Sequence, residues 1–263
     1  MSDAMTDQRA FLMHKPLSVV CSTVDSKLTD IVRDTTSENF GAKRGGVPRL
    51  TIYDIAAQAG FPGGYGNIGR LDAETSGILL FTRHSVFAER VRDPAVSREE
   101  YAARPNNSEA ERTSYEQYLQ TKAKTYELLL LPGRSATKQL VAADLHFDAT
   151  AFEQLLSAPF SFQRNNVQFQ TSPAEVRVVE RFQDEKFSHG RPELGWCVRC
   201  HVTLREGKHH QIRRLAQLND YKVISLTRIQ IAGILAIESV PQPGDCRWLT
   251  AQEFDHISLH LGV

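Results

Sequence analysis

Apolar positions along the chain predict strands in seven places. In each, apolar residues are either continuous or alternate with polar ones over strand length. The run ILLFT (78–82) is continuous, which is typical of a strand buried on both faces. The predicted strands are FLMHK, SVVCST, ILLFT, KTYELLLL, AEVRVVERF, WCVRCHVTLREG and YKVISLTRIQIAGI.

Helical spacing of apolar residues appears in other segments. HHQIRRLAQLN places Ile212, Leu215 and Ala216 on one face, with basic side chains around it. TIYDIAAQAG begins with the spacing of a capping box, Thr51 to Asp54, and predicts a short helix ended by glycine. Further helices are predicted in HSVFAERVRD, in LTAQEFDHISLHL and, singly or as a pair, in TKQLVAADLHFDATAFEQLL.

These elements mix without regular βαβ alternation, so the pattern favours an α+β fold with a mainly antiparallel sheet. We expect residues 1–263 to form a single domain. The polar stretches 97–121 and 183–194 are predicted to be insertions, and GAKRGGVPRL is predicted to be a loop.

Composition places the chain among ordinary globular proteins. Of its 263 residues, 41% are hydrophobic and 24% are charged. We find neither an apolar run long enough to span a bilayer nor a basic leader followed by an apolar segment. With four cysteines and no such signal, a reduced cytoplasmic location is expected.

The formal net charge is zero, because 31 basic residues balance 31 acidic ones. Nucleic-acid binders usually carry a basic excess, so the total argues against that class unless positive charge is concentrated. It is concentrated in LREGKHHQIRRL, which contains Arg205, Lys208, His209, His210, Arg213 and Arg214.

Gly64 to Gly69 fits the dinucleotide-binding pattern G-x-G-x-x-G. That motif requires a strand before the glycines and a helix after them, so that the pyrophosphate lies on the helix N-terminus. Here the predicted helix precedes the glycines and a strand follows. Asp72 would also repel a phosphate. We therefore reject dinucleotide binding.

Cys197 to His201 matches the C-x-x-C-H haem-attachment spacing. The motif lies inside a predicted strand, where both thiols cannot easily face one haem, and zinc would need two further ligands at regular spacing. Two strand cysteines of opposite facing are the favoured interpretation, and no metal is expected.

A third set of residues indicates RNA chemistry. Asp72 lies between a glycine loop and a buried strand, and an isolated aspartate there is most often a cap or a surface ion pair. However, Tyr126 in a strand and the cations of 208–214 are the side chains needed to stack on an RNA base and to neutralise phosphates.

At these residues the chain resembles the RsuA/RluB/RluE/RluF-type pseudouridine synthases. GRLDAETSGILLFT is similar to the family signature around GRLD, KTYEL to its K-x-Y motif, and HKPLSVVCST to its NKP segment. EGKHHQIRRLAQLNDYKVISLTRIQIAGI resembles its EGR-x-x-Q-[IV]-[RK]-R motif followed by L-x-R-x-x-[IM]-G. The motifs occur in family order from His14 to Gly233.

The resemblance implies a mixed, mainly antiparallel sheet in two halves with a central RNA-binding cleft. It implies that Asp72 is the nucleophile that isomerises uridine to pseudouridine without cofactor or metal. Arg213 occupies the position that pairs with this aspartate, Tyr126 the position that packs on the base, and Leu204 that of an apolar pocket residue.

The resemblance also assigns RNA contacts. Arg70 occupies the position that replaces the flipped base, and extrusion of that base costs a few kcal/mol when it is paired. Contacts to phosphates or to the pocket are expected from Lys208, Arg214 and Arg228, together with His209 and His210, although exposed histidines are more often solvated.

RNA is therefore the expected partner, ribosomal RNA first and transfer RNA second, for a monomer that does not enter a membrane. Because the HKP segment begins at His14, we expect no small RNA-binding domain ahead of it, as in the RluE branch. Lys208 replaces the usual arginine, which keeps the charge but loses bidentate geometry. The alternative is a non-catalytic RNA-binding or ribosome-assembly factor on the same fold, which the neutral charge leaves open.

Overall fold

The computed structural model describes residues 6–22, 49–103, 115–133, 148–188 and 195–263. Its strands are β1 (Thr6–Lys15), β2 (Gly66–Ile68), β3 (Ser76–Thr82), β4 (Lys124–Pro132), β5 (Ser161–Arg164), β6 (Val167–Gln170), β7 (Glu175–Gln183), β8 (Trp196–Leu204), β9 (Tyr221–Ile231), β10 (Leu235–Ala236) and β11 (Cys246–Thr250). Its helices are α1 (Ile52–Gln58), α2 (Ser85–Arg92), α3 (Arg98–Ala102), α4 (Tyr115–Lys122), α5 (Ala149–Ser157), α6 (Glu185–Ser188), α7 (Gln211–Leu218) and α8 (Ala251–Leu261).

One mixed, mainly antiparallel sheet forms the centre of the molecule, in the order β11-β1-β3-β9-β4-β8-β7, with β2 beside β3 and β10 beside β9. The two halves of this sheet meet where β3 pairs with β9 in parallel. The pairs there are Ser76 with Thr227 and Gly77 with Arg228. The α+β class and the division into two halves, both predicted, are confirmed.

The first half of the sheet is covered on both faces. In β3, Ile78 and Leu80 pack into one apolar cluster, whereas Leu79 and Phe81 pack into another on the opposite face. Strand side chains alternate between faces, so a strand covered on both sides is apolar throughout. This explains why the continuous run in β3 was correctly predicted. The second half packs against α5 and α7 through a third cluster.

Local signals for helices were reliable. The Thr51 side chain accepts a hydrogen bond from the Asp54 amide, and the Asp54 carboxylate accepts one from the Thr51 amide at 2.7 Å, which completes the predicted capping box of α1. The glycines of 64–69 follow α1 and lead into β2 and β3. A helix therefore precedes them and strands follow, which is the reverse of the order that a dinucleotide-binding motif requires. No helix of the described residues is long and apolar enough to cross a bilayer.

Other predictions require correction. In the described part of SVVCST, residues 18–22, the backbone forms an isolated bridge between Val20 and Thr51 and no strand. The described residues of the stretch 97–121 form α3 and most of α4, and Tyr101 and Tyr118 are buried in the core; that this stretch is an insertion stays a prediction. Residues 104–114, 189–194 and most of the predicted GAKRGGVPRL loop lie outside the described residues.

Candidate active site

The loop that carries Asp72 is held mainly by backbone contacts. The Ser18 amide donates to the Ala73 carbonyl at 2.7 Å, and the Thr75 amide donates to the Asp72 carbonyl at 3.0 Å. Leu71 is buried beneath the loop. The segment 69–72, which ends at Asp72, is an irregular loop. The Asp72 carboxylate is 43% exposed and faces a cleft.

The cleft has a volume of about 640 Å³ and is built from both halves of the sheet. Asp72 and Arg70 come from the loop before β3, whereas Tyr126 lies on β4 and Leu204 at the end of β8. The structure thus brings together eight of the predicted site residues: Arg70, Asp72, Tyr126, Leu204, Lys208, His209, His210 and Arg213.

A buried acid organises the loop between β8 and α7. Glu206 accepts hydrogen bonds from the Gln211 side chain at 2.8 Å and from the Ser172 amide at 2.7 Å. It also forms an ion pair with Lys208. The Lys208 ammonium lines the cleft, but its charge is already balanced by the Glu206 carboxylate. An RNA phosphate would therefore compete with Glu206 for Lys208.

The two histidines lie beside the aspartate. His210 adopts a left-handed conformation (φ 53°) where α7 begins, and its ring stacks on that of His209 with centroids 3.8 Å apart. Its Nε2 is 3.4 Å from Asp72 Oδ1. Burial, then the neighbouring His210, lowers the pKa of His209. Sequence reasoning treated these side chains as most often solvated; the structure gives His210 a direct partner.

Arg213 reaches the same loop by a different contact. Its Nη2 donates to the Glu74 carbonyl at 3.0 Å and lies 3.9 Å from the Glu74 carboxylate. Among the described residues, Asp72 contacts the His210 ring and forms no ion pair with Arg213. The Arg213 guanidinium thus braces the Asp72 loop in this structure, and its pairing with the aspartate stays a prediction.

Two predicted RNA-binding arginines lie elsewhere. Arg228 is only 2% exposed, and its Nε donates to the Ile78 carbonyl at 2.7 Å, so it supports the join between the sheet halves and cannot reach a phosphate. That prediction is corrected. The Arg214 guanidinium lies over the Phe162 ring, 4.4 Å from its centroid, beside the cleft rather than in its lining.

Sequence reasoning missed three cations near the site. Arg92, at the end of α2, and Arg164, in β5, line the cleft. Lys15, at the end of β1, is buried, and burial lowers its pKa from 10.5 to about 8, with the Asp72 charge acting in the opposite direction. The Asn165-Asn166 pair between two short alternating runs was the available signal for the hairpin that carries Arg164.

A second lysine, Lys124 in β4, is buried near charges of both signs. Burial, then the charge of Arg228, lowers its pKa from 10.5 to about 8, whereas Glu206 raises it. Holding this ammonium inside the fold therefore costs stability whenever it is protonated.

We expect Lys124→Met to show this cost as a pH dependence. Between pH 8 and pH 10.5 the folded protein releases the Lys124 proton while the unfolded chain keeps it, so wild-type stability rises with pH relative to the variant. The free energy of unfolding of wild type minus variant should increase by about 3 kcal/mol across this window. Urea unfolding at several pH values measures it. Lys222→Met, at an exposed position in β9, is the matched control; the same slope in both variants would contradict the assignment.

The two cysteines of the C-x-x-C-H spacing do not converge on one site. Cys197 and Cys200 are both buried in β8, and their spacing of three places them on opposite faces of the strand. Burial raises the pKa of Cys200 to about 12, so its thiol is protonated at neutral pH. In the described part of the chain, no group of three or more histidine, cysteine or acidic side chains is placed to hold a metal ion.

Comparisons with known proteins identify the family. The family model described as RNA pseudouridylate synthase matches residues 9–218. Ribosomal large subunit pseudouridine synthase B of Pasteurella multocida is 25% identical over 236 residues, 90% of this chain and 47% of its own. Ribosomal small subunit pseudouridine synthase A of Vibrio vulnificus is 30% identical over 95 residues, 36% of this chain and 34% of its own.

The chain thus spans about half or less of the length of these two relatives. A crystal structure of a pseudouridylate synthase superimposes with a TM-score of 0.55 at 19% identity, covering 95% of this chain and 73% of that one, which supports the fold. The closer likeness to the RluE branch stays a prediction. The chain belongs to the RNA pseudouridylate synthase family, in the RsuA/RluB group that its motifs resemble.

Proposed function

We propose that the protein isomerises uridine to pseudouridine in RNA, with Asp72 as the nucleophile. One observation carries the proposal. The Asp72 carboxylate stands at a cleft that also presents a partly buried tyrosine, Tyr126, and an apolar side chain, Leu204. A flat base can lie against the latter two while the carboxylate approaches its sugar or its ring.

The chemistry needs only a nucleophile, a means of turning the base and a proton acceptor. The bond between N1 and C1′ breaks while the carboxylate adds to the ring or supports the glycosidic cleavage. The freed uracil rotates, and C5 bonds to C1′. The C5 proton is then lost, N1 gains a proton and any bond to the carboxylate is broken, so the reaction is a net isomerisation. Tyr126 lines the same cleft as Asp72, and we assign it the role of accepting or relaying the C5 proton.

Cations around the cleft favour a nucleic-acid substrate although the whole chain is neutral. Arg70, Arg92, Arg164 and Arg213 all line it. Because these arginines are clustered, the cleft has a local positive potential that can bind phosphates although the net charge of the chain is zero. We propose ribosomal RNA as the substrate, since the relatives in the comparisons are named as ribosomal enzymes. We take the protein to act as a cytoplasmic monomer, as predicted from the sequence.

The test is to express the protein in bacterial cells from which the ribosomal pseudouridine synthases have been deleted, and to map pseudouridines across total RNA. One or a few ribosomal sites should appear that are absent from cells carrying the empty vector. Modification of transfer RNA alone would correct the substrate. Binding of ribosomal RNA without any new pseudouridine would instead establish the non-catalytic RNA-binding alternative.

A further inference from the structure

The hairpin of β5 and β6 stands outside the main sheet, next to the cleft. It pairs Phe162 with Phe169 and Gln163 with Gln168, and the two residues of its turn, Asn165 and Asn166, both have positive φ. All of its residues except the two phenylalanines are exposed. A two-stranded hairpin exposed on both faces is marginal on its own, so its base must be anchored and its surface is available to a partner.

The base of the hairpin is anchored to the active-site loop. The buried Thr171 accepts a hydrogen bond from the Phe160 amide at 2.9 Å and closes the two strands. The next amide, of Ser172, donates to Glu206, the same buried acid that holds Lys208 and Gln211. The hairpin and the loop that lines the cleft are thus fixed relative to each other.

Its two faces differ in chemistry. Alternation places Phe162, Phe169 and Arg164 on one face, and Arg164 reaches the cleft lining while Arg214 stacks on Phe162. The opposite face presents a row of amides and a hydroxyl. A concavity of about 390 Å³ beside the turn is lined by Ser161, Gln163 and Gln168 of this face, by Asn166 and by Phe162.

From Phe160 to Thr171 the sequence has no acidic residue and one arginine. Exposed amides both donate and accept hydrogen bonds, as the edges of unpaired bases do, and a cation at the rim suits phosphate. A protein partner would more often be met by exposed aromatic or aliphatic side chains, and Val167 is the one large aliphatic side chain exposed here.

We propose that the hairpin is the second RNA-binding surface of this protein. The RNA strand that leaves the cleft passes Arg164, crosses the Asn165-Asn166 turn and places its first unpaired flanking base in the concavity, where Gln163 and Gln168 bind its edge. This inference rests on the proposed function, since it requires that the cleft binds RNA.

The experiment compares fluorescein-labelled oligouridylates of two lengths by fluorescence anisotropy. A four-nucleotide probe fills the cleft, whereas a twelve-nucleotide probe also reaches the hairpin. The double variant Gln163→Ala/Gln168→Ala should weaken binding of the long probe about tenfold and leave the short probe within about twofold of wild type. Arg164→Gln should reduce the slope of log affinity against log salt by about one.

Arg177→Gln is the matched control, because this arginine is exposed on β7 and does not line the cleft. Thermal unfolding checks that the variants fold. A twelve-nucleotide probe containing 4-thiouridine should crosslink on irradiation to the peptide that contains residues 161–170.

Two results overturn the proposal in distinguishable ways. If wild type modifies ribosomal RNA, but the double variant binds the long probe as wild type does and the crosslink falls elsewhere, only the hairpin assignment fails. If wild type binds neither probe and yields no pseudouridine in cells, the proposed function fails and the hairpin assignment fails with it.

Discussion

Replacement of Asp72 by asparagine is expected to lower the rate of pseudouridine formation by at least about three orders of magnitude. The amide keeps the size and shape of the carboxylate but is not a nucleophile, so neither ring addition nor support of a cationic sugar is possible. The fold should survive, because the side chain is half exposed and the loop is held by the backbone bonds of Ala73 and Thr75.

The assay uses ribosomal RNA transcripts that carry tritium at C5 of uridine, since that hydrogen is released when C5 bonds to the sugar. The matched control is Glu74→Gln, two residues along the same loop, whose carboxylate is 84% exposed. It makes the same change of charge and should retain activity within about threefold. Melting temperature and RNA affinity should match wild type in both variants. Equal tritium release from Asp72→Asn and Glu74→Gln would exclude Asp72 as the nucleophile.

The central strands and the main helices could be predicted from sequence because their determinants are local. The apolar run of β3 reflects cover on both faces, and the stripe of Ile212, Leu215 and Ala216 reflects cover on one face of α7. The cleft residues Asp72, Tyr126 and Leu204 came from the order of motifs along the chain. These residues meet in one cleft because of the order in which the strands pair, and sequence periodicity alone does not specify that order.

What sequence reasoning missed depends on contacts between distant segments. Arg228 lies in an alternating strand, where an arginine is usually exposed, yet it is buried because β3 approaches β9 closely at that point. Arg213 donates a hydrogen bond to the Glu74 carbonyl, and Lys208 forms an ion pair with Glu206. The sequence alone does not indicate which of the possible partners each cation contacts. The hairpin that carries Arg164 has few apolar residues, so hydrophobic periodicity gave it little signal.

The close approach of β3 and β9 leads to the second large effect, on stability. Gly77 has φ 109°, and a Cβ added there would lie less than 3.0 Å from the backbone nitrogen, carbonyl carbon and oxygen of Arg228. Backbone atoms inside a paired sheet cannot move aside as a flexible side chain can. We expect Gly77→Ala to cost more than about 4 kcal/mol of folding free energy and to lower the melting temperature by at least about 8 °C.

Gly60→Ala separates the two causes of this loss. Gly60 also has a positive φ, 78°, but a Cβ there would meet no atom within 4 Å. That variant carries only the cost of the left-handed backbone, about 1 kcal/mol, or 2 to 4 °C. If Gly77→Ala and Gly60→Ala have the same melting temperature, the two halves of the sheet are not in the close contact described. If it is far less stable or insoluble, the steric contact dominates. Activity should then be lost together with the fold, because Asp72 lies on the loop before β3 whereas Tyr126 and Leu204 belong to the half of the sheet that contains β9.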